Sequence, residues 1–219
     1  AFSGHEKSQR SDILDQVPQL AALKKNFPEV AEQVRLELRA MPNDKTQRRQ
    51  ELATIIQKRV FPAFDAALKT TSDAAILQFA KARTQQLQEV LNSNASDCVL
   101  LMLNQLRGAP PAVQARITAS TSKETLQAVQ DAFVKILNDA DALRSAPPAP
   151  DEKRFNALIA QLDVRLKSAY GTSVYYFGDD SLKKSAEVRC KAGLFLFNEV
   201  VNLPEKDRSF MLRALFGAE

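Results

Sequence analysis

A single histidine, His5, is all the imidazole this 219-residue chain contains, and it sits in a polar N-terminal stretch. That scarcity excludes histidine-dependent triads for nucleophilic catalysis and every multi-histidine metal site. Glycine is nearly as sparse. Its six residues are scattered singly and spell neither a P-loop nor a dinucleotide fingerprint, so nucleotide chemistry on a phosphate-cradling loop is not expected. Tryptophan is absent, and Cys98 and Cys190 lie too far apart to make a CxxC pair, which removes the usual structural zinc and thioredoxin-like motifs. The longest uninterrupted apolar run, Cys98 to Leu103, falls far short of the ~20 residues a membrane span requires, so a soluble protein without a membrane span is expected. No resident cofactor or metal is expected either.

What is present reads as an ordinary globular mixture, 45% hydrophobic and 26% charged, with a formal net charge of +4. The charge is spread evenly along the chain, so neither half stands out as a polyanion-binding module. A chain of this length buries roughly 70% of the surface its unfolded form exposes, enough for a core without a metal staple.

Helix punctuation is dense. Asn26-Phe27-Pro28-Glu29 and Asn202-Leu203-Pro204-Glu205 each combine a capping Asn, a first-turn Pro and a Glu near the positive end of the helix dipole. Thr121-Ser122-Lys123-Glu124 reads as a capping box, and behind it Leu126, Val129, Phe133, Ile136, Leu137, Ala140 and Leu143 follow the helical period. Phe155, Leu158, Ile159, Leu162, Leu166, Ala169 and Tyr170 repeat the pattern between Asp151 and a stop at Gly171. Leu52, Ile55, Ile56, Val60, Ala63, Phe64 and Ala67 form one stripe interrupted by Pro62, which should kink the helix or begin a new segment. A further stripe follows Ser72, and Pro110-Pro111 opens a short helix. The all-round apolar segment from Ser96 to Leu106 predicts a buried helix in the middle of the core. The last long stripe, Leu182, Ala186, Cys190, Gly193, Phe197, Val200 and Val201, turns Cys190 inward and uses Gly193 for a close helix contact.

The expected fold is therefore all-α, a bundle of roughly eight helices with no substantial sheet; only Ser173 to Phe177 hints at a strand. A single domain over 1–219 is expected, with a polar tail at 1–11. The proline-rich connection 145–150 could divide two helical subdomains, but its length equally suits a loop between antiparallel neighbours.

The first residue, Ala1, is consistent with a processed or trimmed start. If a secretory leader was removed, an oxidising compartment follows and Cys98 and Cys190 are free to pair; otherwise both are reduced core residues. An exported location, periplasmic or secreted, is favoured over a cytoplasmic one. Asn94-Ala95-Ser96 matches a glycosylation acceptor, which matters only in a eukaryotic secretory route.

Carboxylate chemistry needs only a pair of acids in a cleft, and Asp179-Asp180, Asp139, Asp141 and Glu199 are its candidates. Each has a plain helix-start or solvent-facing explanation. Lys45, Arg48, Arg49, Lys58 and Arg59 form one basic group and Lys183, Lys184, Arg189 and Lys191 another. Both read as solvated faces without interleaved aromatics, which argues against nucleic-acid binding.

The most unusual segment is Tyr170 to Asp180, which holds all three tyrosines of the chain, Tyr175 and Tyr176 lying between Gly171 and Gly178. Tyrosine joins a rigid apolar ring to a polar tip, the combination enriched at recognition hot spots. The alternative is an aromatic lid folded back onto the bundle. The leading expectation is a non-enzymatic interaction protein of adaptor, inhibitor or secretion-accessory type, contacting a protein partner through Tyr175, Tyr176, Phe177, Asp179 and Asp180. Two other readings stay open: a carrier whose apolar cavity is lined by Phe133, Phe155, Phe195 and Phe197, and a carboxylate-dependent enzyme.

Overall fold

A computed structural model describes residues 17–42, 44–103, 109–141, 151–174 and 184–216. The tail 1–11 with His5, the connection 145–150 and the positions Leu182 and Lys183 lie outside the described residues. Ten continuous helices and no strand occur among the described residues. They are α1 (Pro18–Asn26), α2 (Pro28–Ala40), α3 (Lys45–Ile55, continuing through Ile56–Val60 into Phe61–Thr70), α4 (Asp73–Ser93), α5 (Ala95–Met102), α6 (Pro111–Ala119), α7 (Lys123–Asp139), α8 (Glu152–Tyr170), α9 (Ala186–Val201) and α10 (Glu205–Leu215). The all-α bundle expected from apolar periodicity is the observed fold. The helix that sequence periodicity did not single out is α1, whose nine residues are too short to show a clear stripe.

Side-chain caps open most of these helices. Ser72, Asn94, Ser122 and Ser185 each accept a backbone N–H three residues on, at 3.3, 3.0, 3.2 and 3.3 Å. Asp44 accepts two, from Thr46 and Gln47. The two Asn-x-Pro-Glu signals do mark helix starts, but their asparagines do not cap them. Phe27 and Pro204 occupy the cap positions without a side-chain bond. Asn26 instead sends its Nδ2 to the carbonyls of Leu137 and Asn138, at 2.8 and 2.9 Å, closing the end of α7. Two helices in tight succession leave each asparagine belonging to the element before it.

Pro62 is absorbed by a π-turn. Residues Ile56–Val60 hydrogen bond one position further back than in an α-helix, with the Phe61 N–H reaching the Ile56 carbonyl. The widened turn makes room where the proline ring would otherwise strike the carbonyl of Lys58, and the helix resumes at Phe61.

Two apolar clusters make the core. The larger joins α1, α2, the second half of α3, the first half of α4, α7, α8 and parts of α9 and α10. The smaller gathers Leu87 and Val90 of α4, Cys98, Val99, Leu101 and Met102 of α5, Ile117 of α6, and Cys190, Leu194 and Phe197 of α9. Helix α4 is thus the central rod, packing on α7, α9, α5 and α10. Helix α5, expected at the middle, lies in the smaller cluster, because its apolar run is only two turns long and cannot reach both. Residues from both sides of 145–150, such as Ile136 and Leu162, share the larger cluster.

Gly193 sets the spacing of α9 on α5. A Cβ there would stand 1.7 Å from Met102 Sδ and 3.1 Å from its Cγ and Cε. Gly193→Ala should therefore cost about 2 to 3 kcal/mol through overpacking. Shortening Met102 to Ala in the same chain should recover part of that loss, which a double-mutant cycle in urea would measure.

Glu89 of α4 takes over half of the capping box at α7. The helix starts one residue later than the Thr121-to-Glu124 box predicts: Ser122 is the cap and Thr125 holds the third position, so the Glu89 carboxylate accepts the Ser122 backbone N–H at 2.7 Å, together with the hydroxyls of Thr125 at 2.7 Å and Ser122 at 3.2 Å. Partial burial pushes this carboxyl up, but hydrogen bonds from Gln85, the Ser122 backbone, Thr125 and the Ser122 hydroxyl outweigh it and bring it down to about 2. A carboxyl lowered from 4.5 to about 2 adds stability that is complete above 4.5 and drains away as pH falls through that window. Glu89→Gln should accordingly cost on the order of 1 kcal/mol at neutral pH, after allowance for solvent screening, and almost nothing near pH 2. Parallel unfolding curves across that pH range check the convergence.

Candidate functional site

The aromatic loop is approached along α8, whose buried stripe of Leu158, Leu162 and Leu166 fixes the helix on the bundle. Gly171 closes α8 in the left-handed conformation, φ 63°, where a side chain would be strained, and its N–H donates to the Lys167 carbonyl at 2.9 Å. Thr172 and Ser173 then turn inward and are buried. No strand forms at Ser173 and Val174.

Asp163 holds that turn. It is 8% exposed, its Oδ1 accepts the Ser173 hydroxyl and the Val174 backbone N–H, the latter at 3.0 Å, and its Oδ2 lies 2.6 Å from Lys167 Nζ. The Lys167 bond, then those from Ser173 and Val174, keep its carboxyl below the ordinary value against the pull of burial. A charged acid is thereby fastened to the first residues of the loop. Tyr170 meets Phe195 of α9 edge to face at a centroid distance of 5.7 Å. Where the chain returns, Lys184 Nζ stands 3.4 Å from the position a Cβ on Gly171 would take. Departure and return are therefore adjacent, on two helices that pack together.

Tyr175, Tyr176, Phe177, Asp179 and Asp180, singled out from sequence as the partner-binding set, lie outside the described residues. Asp163 escaped sequence reasoning, although a signal was there: it falls on the apolar side of α8, between Leu162 and Leu166, where a carboxylate needs partners.

The remaining candidates have structural commitments. Glu199 is ion-paired with Arg165 and one quarter exposed. Asp139 accepts the Ser72 hydroxyl at 2.9 Å and lies 3.6 Å from Lys135. Asp141 is exposed. Among the described residues, no group of three or more His, Cys, Asp or Glu side chains could hold a metal ion. The phenylalanines considered for a cavity pack on other rings. Phe133 stacks on Phe64 at 4.1 Å, Phe155 lies 5.7 Å from Phe210, and Phe197 lies 5.8 Å from Phe216. An open surface groove of about 620 Å³ runs along the start of α2, lined by Pro28, Glu29, Val30, Glu32, Gln33 and Arg59. In the basic groups, Arg59 pairs with Glu37 at 2.6 Å and Lys191 with Glu187 at 2.5 Å.

Cys98 and Cys190 meet as a disulfide joining α5 to α9, with Cα atoms 6.0 Å apart and both residues fully buried. No helix among the described residues is long and apolar enough to cross a membrane.

Known families, curated proteins and solved structures contain no match to this chain. The functional reading accordingly rests on its own residues. Among the described residues, the side-chain geometry at this end of the bundle fastens Ser173 and Val174 to Asp163 of α8 and sets Lys184 beside Gly171.

Proposed function

We propose that this protein is a non-enzymatic helical interaction protein that engages a protein partner through the loop carrying Tyr175, Tyr176, Phe177, Asp179 and Asp180. The observation that carries the reading is the root of the loop. A buried carboxylate, Asp163, ties Ser173 and Val174 to α8, and the returning Lys184 lies beside Gly171. A loop whose ends are pinned loses less conformational freedom on binding, so its aromatics contribute more of their contact energy to affinity. Tyrosines supply large rigid contact area at low entropic cost, and neighbouring aspartates add polar specificity.

The disulfide supports an oxidising compartment as the working environment. An adaptor, an inhibitor or a secretion accessory fits both features.

The test is capture of the partner from native lysate, identified by mass spectrometry and repeated with purified components. Tyr175→Ser together with Tyr176→Ser should weaken capture about thirtyfold, the loss of about 2 kcal/mol typical of aromatic hot spots, while far-UV helicity stays intact. Undiminished capture by the double variant would reject the loop as the recognition element.

A further inference from the structure

We propose that the three residues after α10, Gly217-Ala218-Glu219, strap across α4 and that the Glu219 carboxylate pairs with the Arg83 guanidinium at the seam between the two apolar clusters. Those three positions lie outside the described residues. The strap involves no residue of the aromatic loop.

Arg83 is out of keeping with its place. On α4 it follows Ile76 and Phe79 and precedes Gln86, Leu87 and Val90 along the buried stripe, where a cation needs an opposite charge or a full set of acceptors. Arg35, Arg59, Arg116, Arg154, Arg165 and Arg213 each meet a carboxylate. Arg83 meets none among the described residues. Its Nη1 donates to Gln86 Oε1 at 2.8 Å and its Nη2 to the Leu101 carbonyl at 3.4 Å, and both acceptors are neutral. Burial therefore pulls the guanidinium down to about 10, with no neighbouring charge to hold it up.

Helix α10 runs toward it. Arg213 reaches Asp73 in the first turn of α4 at 2.8 Å, and three residues later the Phe216 ring meets Phe79 edge to face at a centroid distance of 5.2 Å. The chain thus advances along α4 from residue 73 to residue 79. Arg83 lies one turn further on the same face, about 6 Å of helix rise beyond Phe79, and three extended residues span up to about 10 Å. Phe216 also packs against the smaller cluster, which contains Leu101, the residue whose carbonyl accepts from Arg83. Gly217 is the residue type that most readily ends a helix, and Glu219 is the first acid after Asp207. With the strap closed, α10 is held to α8 through Asp207, to the start of α4 through Arg213 and to the middle of α4 through Glu219. A charge-assisted bond in such a partly dehydrated seat is stronger than the same pair on open surface.

The test follows the Arg83 Nε–H signal of the full chain by nitrogen-15 NMR at about pH 6, where Glu219 is ionised. Its exchange with water should be about tenfold slower than that of the exposed Arg39, and Glu219→Gln should speed it about fivefold while the backbone amide shifts of α4 stay unchanged. Glu219→Asp, which keeps the charge on a shorter arm, should fall between the two. A second readout is the urea midpoint. Glu219→Gln should lower it in the wild-type background and leave it unmoved in an Arg83→Gln background, because the pair is already broken there. Equal Arg83 exchange in wild type and Glu219→Gln overturns the strap, whether Gln86 and Leu101 alone or an anion from solution then protects the guanidinium. So does a midpoint loss from Glu219→Gln that persists when Arg83 is replaced.

Discussion

Arg213→Met should destabilise the protein by about 3 to 4 kcal/mol, lowering the thermal midpoint by roughly 6 to 16 °C. The guanidinium is 7% exposed on α10 and closes the junction between α3 and α4 from below. It donates to the carbonyls of Leu68 and Thr71, the latter at 2.9 Å, and to Asp73 Oδ1 at 2.8 Å. Those carbonyls end α3, where the helix dipole is negative and no intrahelical donor remains. Methionine fills most of the volume but leaves the orphaned carbonyls dry, and the penalty for unmade buried hydrogen bonds exceeds the value of the bonds themselves. Two controls separate the causes. Arg213→Lys should recover less than half, since one ammonium cannot span three acceptors, and Asp73→Asn should cost below about 1 kcal/mol because its side chain is half exposed. A loss confined to the ion pair would show Asp73→Asn matching Arg213→Met in differential scanning calorimetry.

Removing the disulfide by Cys98→Ala with Cys190→Ala should lower the unfolding free energy by up to about 4 to 5 kcal/mol in the chain-entropy account of a cross-link spanning 92 positions. The bridge is fully buried in the smaller core, between helices already packed through Gly193. The native far-UV spectrum should hardly change, because most of the effect lies in freeing the unfolded chain. Urea titration measures the loss, and a change below about 1 kcal/mol would mean that packing alone holds α5 to α9. Protein isolated from its native source should show no free thiol under denaturing conditions; two free thiols would remove the support for an oxidising compartment.

Much of this architecture was legible from periodicity. The stripe of Phe133, Ile136 and Leu137 on α7, the left-handed stop at Gly171, the inward Cys190 and the close contact at Gly193 all stand where 3.6-residue spacing and glycine geometry put them. Capping residues were easier to find than to assign. Asn26 closes α7 instead of opening α2, a partnership across 111 positions that no local pattern encodes. Glu89 completing the cap of α7 is hidden for the same reason. The candidate site divides in the same way. Its tyrosines stand out by composition, whereas Asp163 is marked only by its place on the apolar stripe of α8, and its partners appear when the chain after Gly171 turns back onto that helix.

By itself, then, the order of residues determined helices, their apolar faces and most of their ends, because each depends on neighbours within one or two turns. Tertiary structure alone decided that α4 rather than α5 is the central rod, that Cys98 and Cys190 meet, and that Arg213 closes α3. Those outcomes depend on which faces find each other across long stretches of chain. Contact free energies between distant elements select them, and local propensity carries no record of that selection.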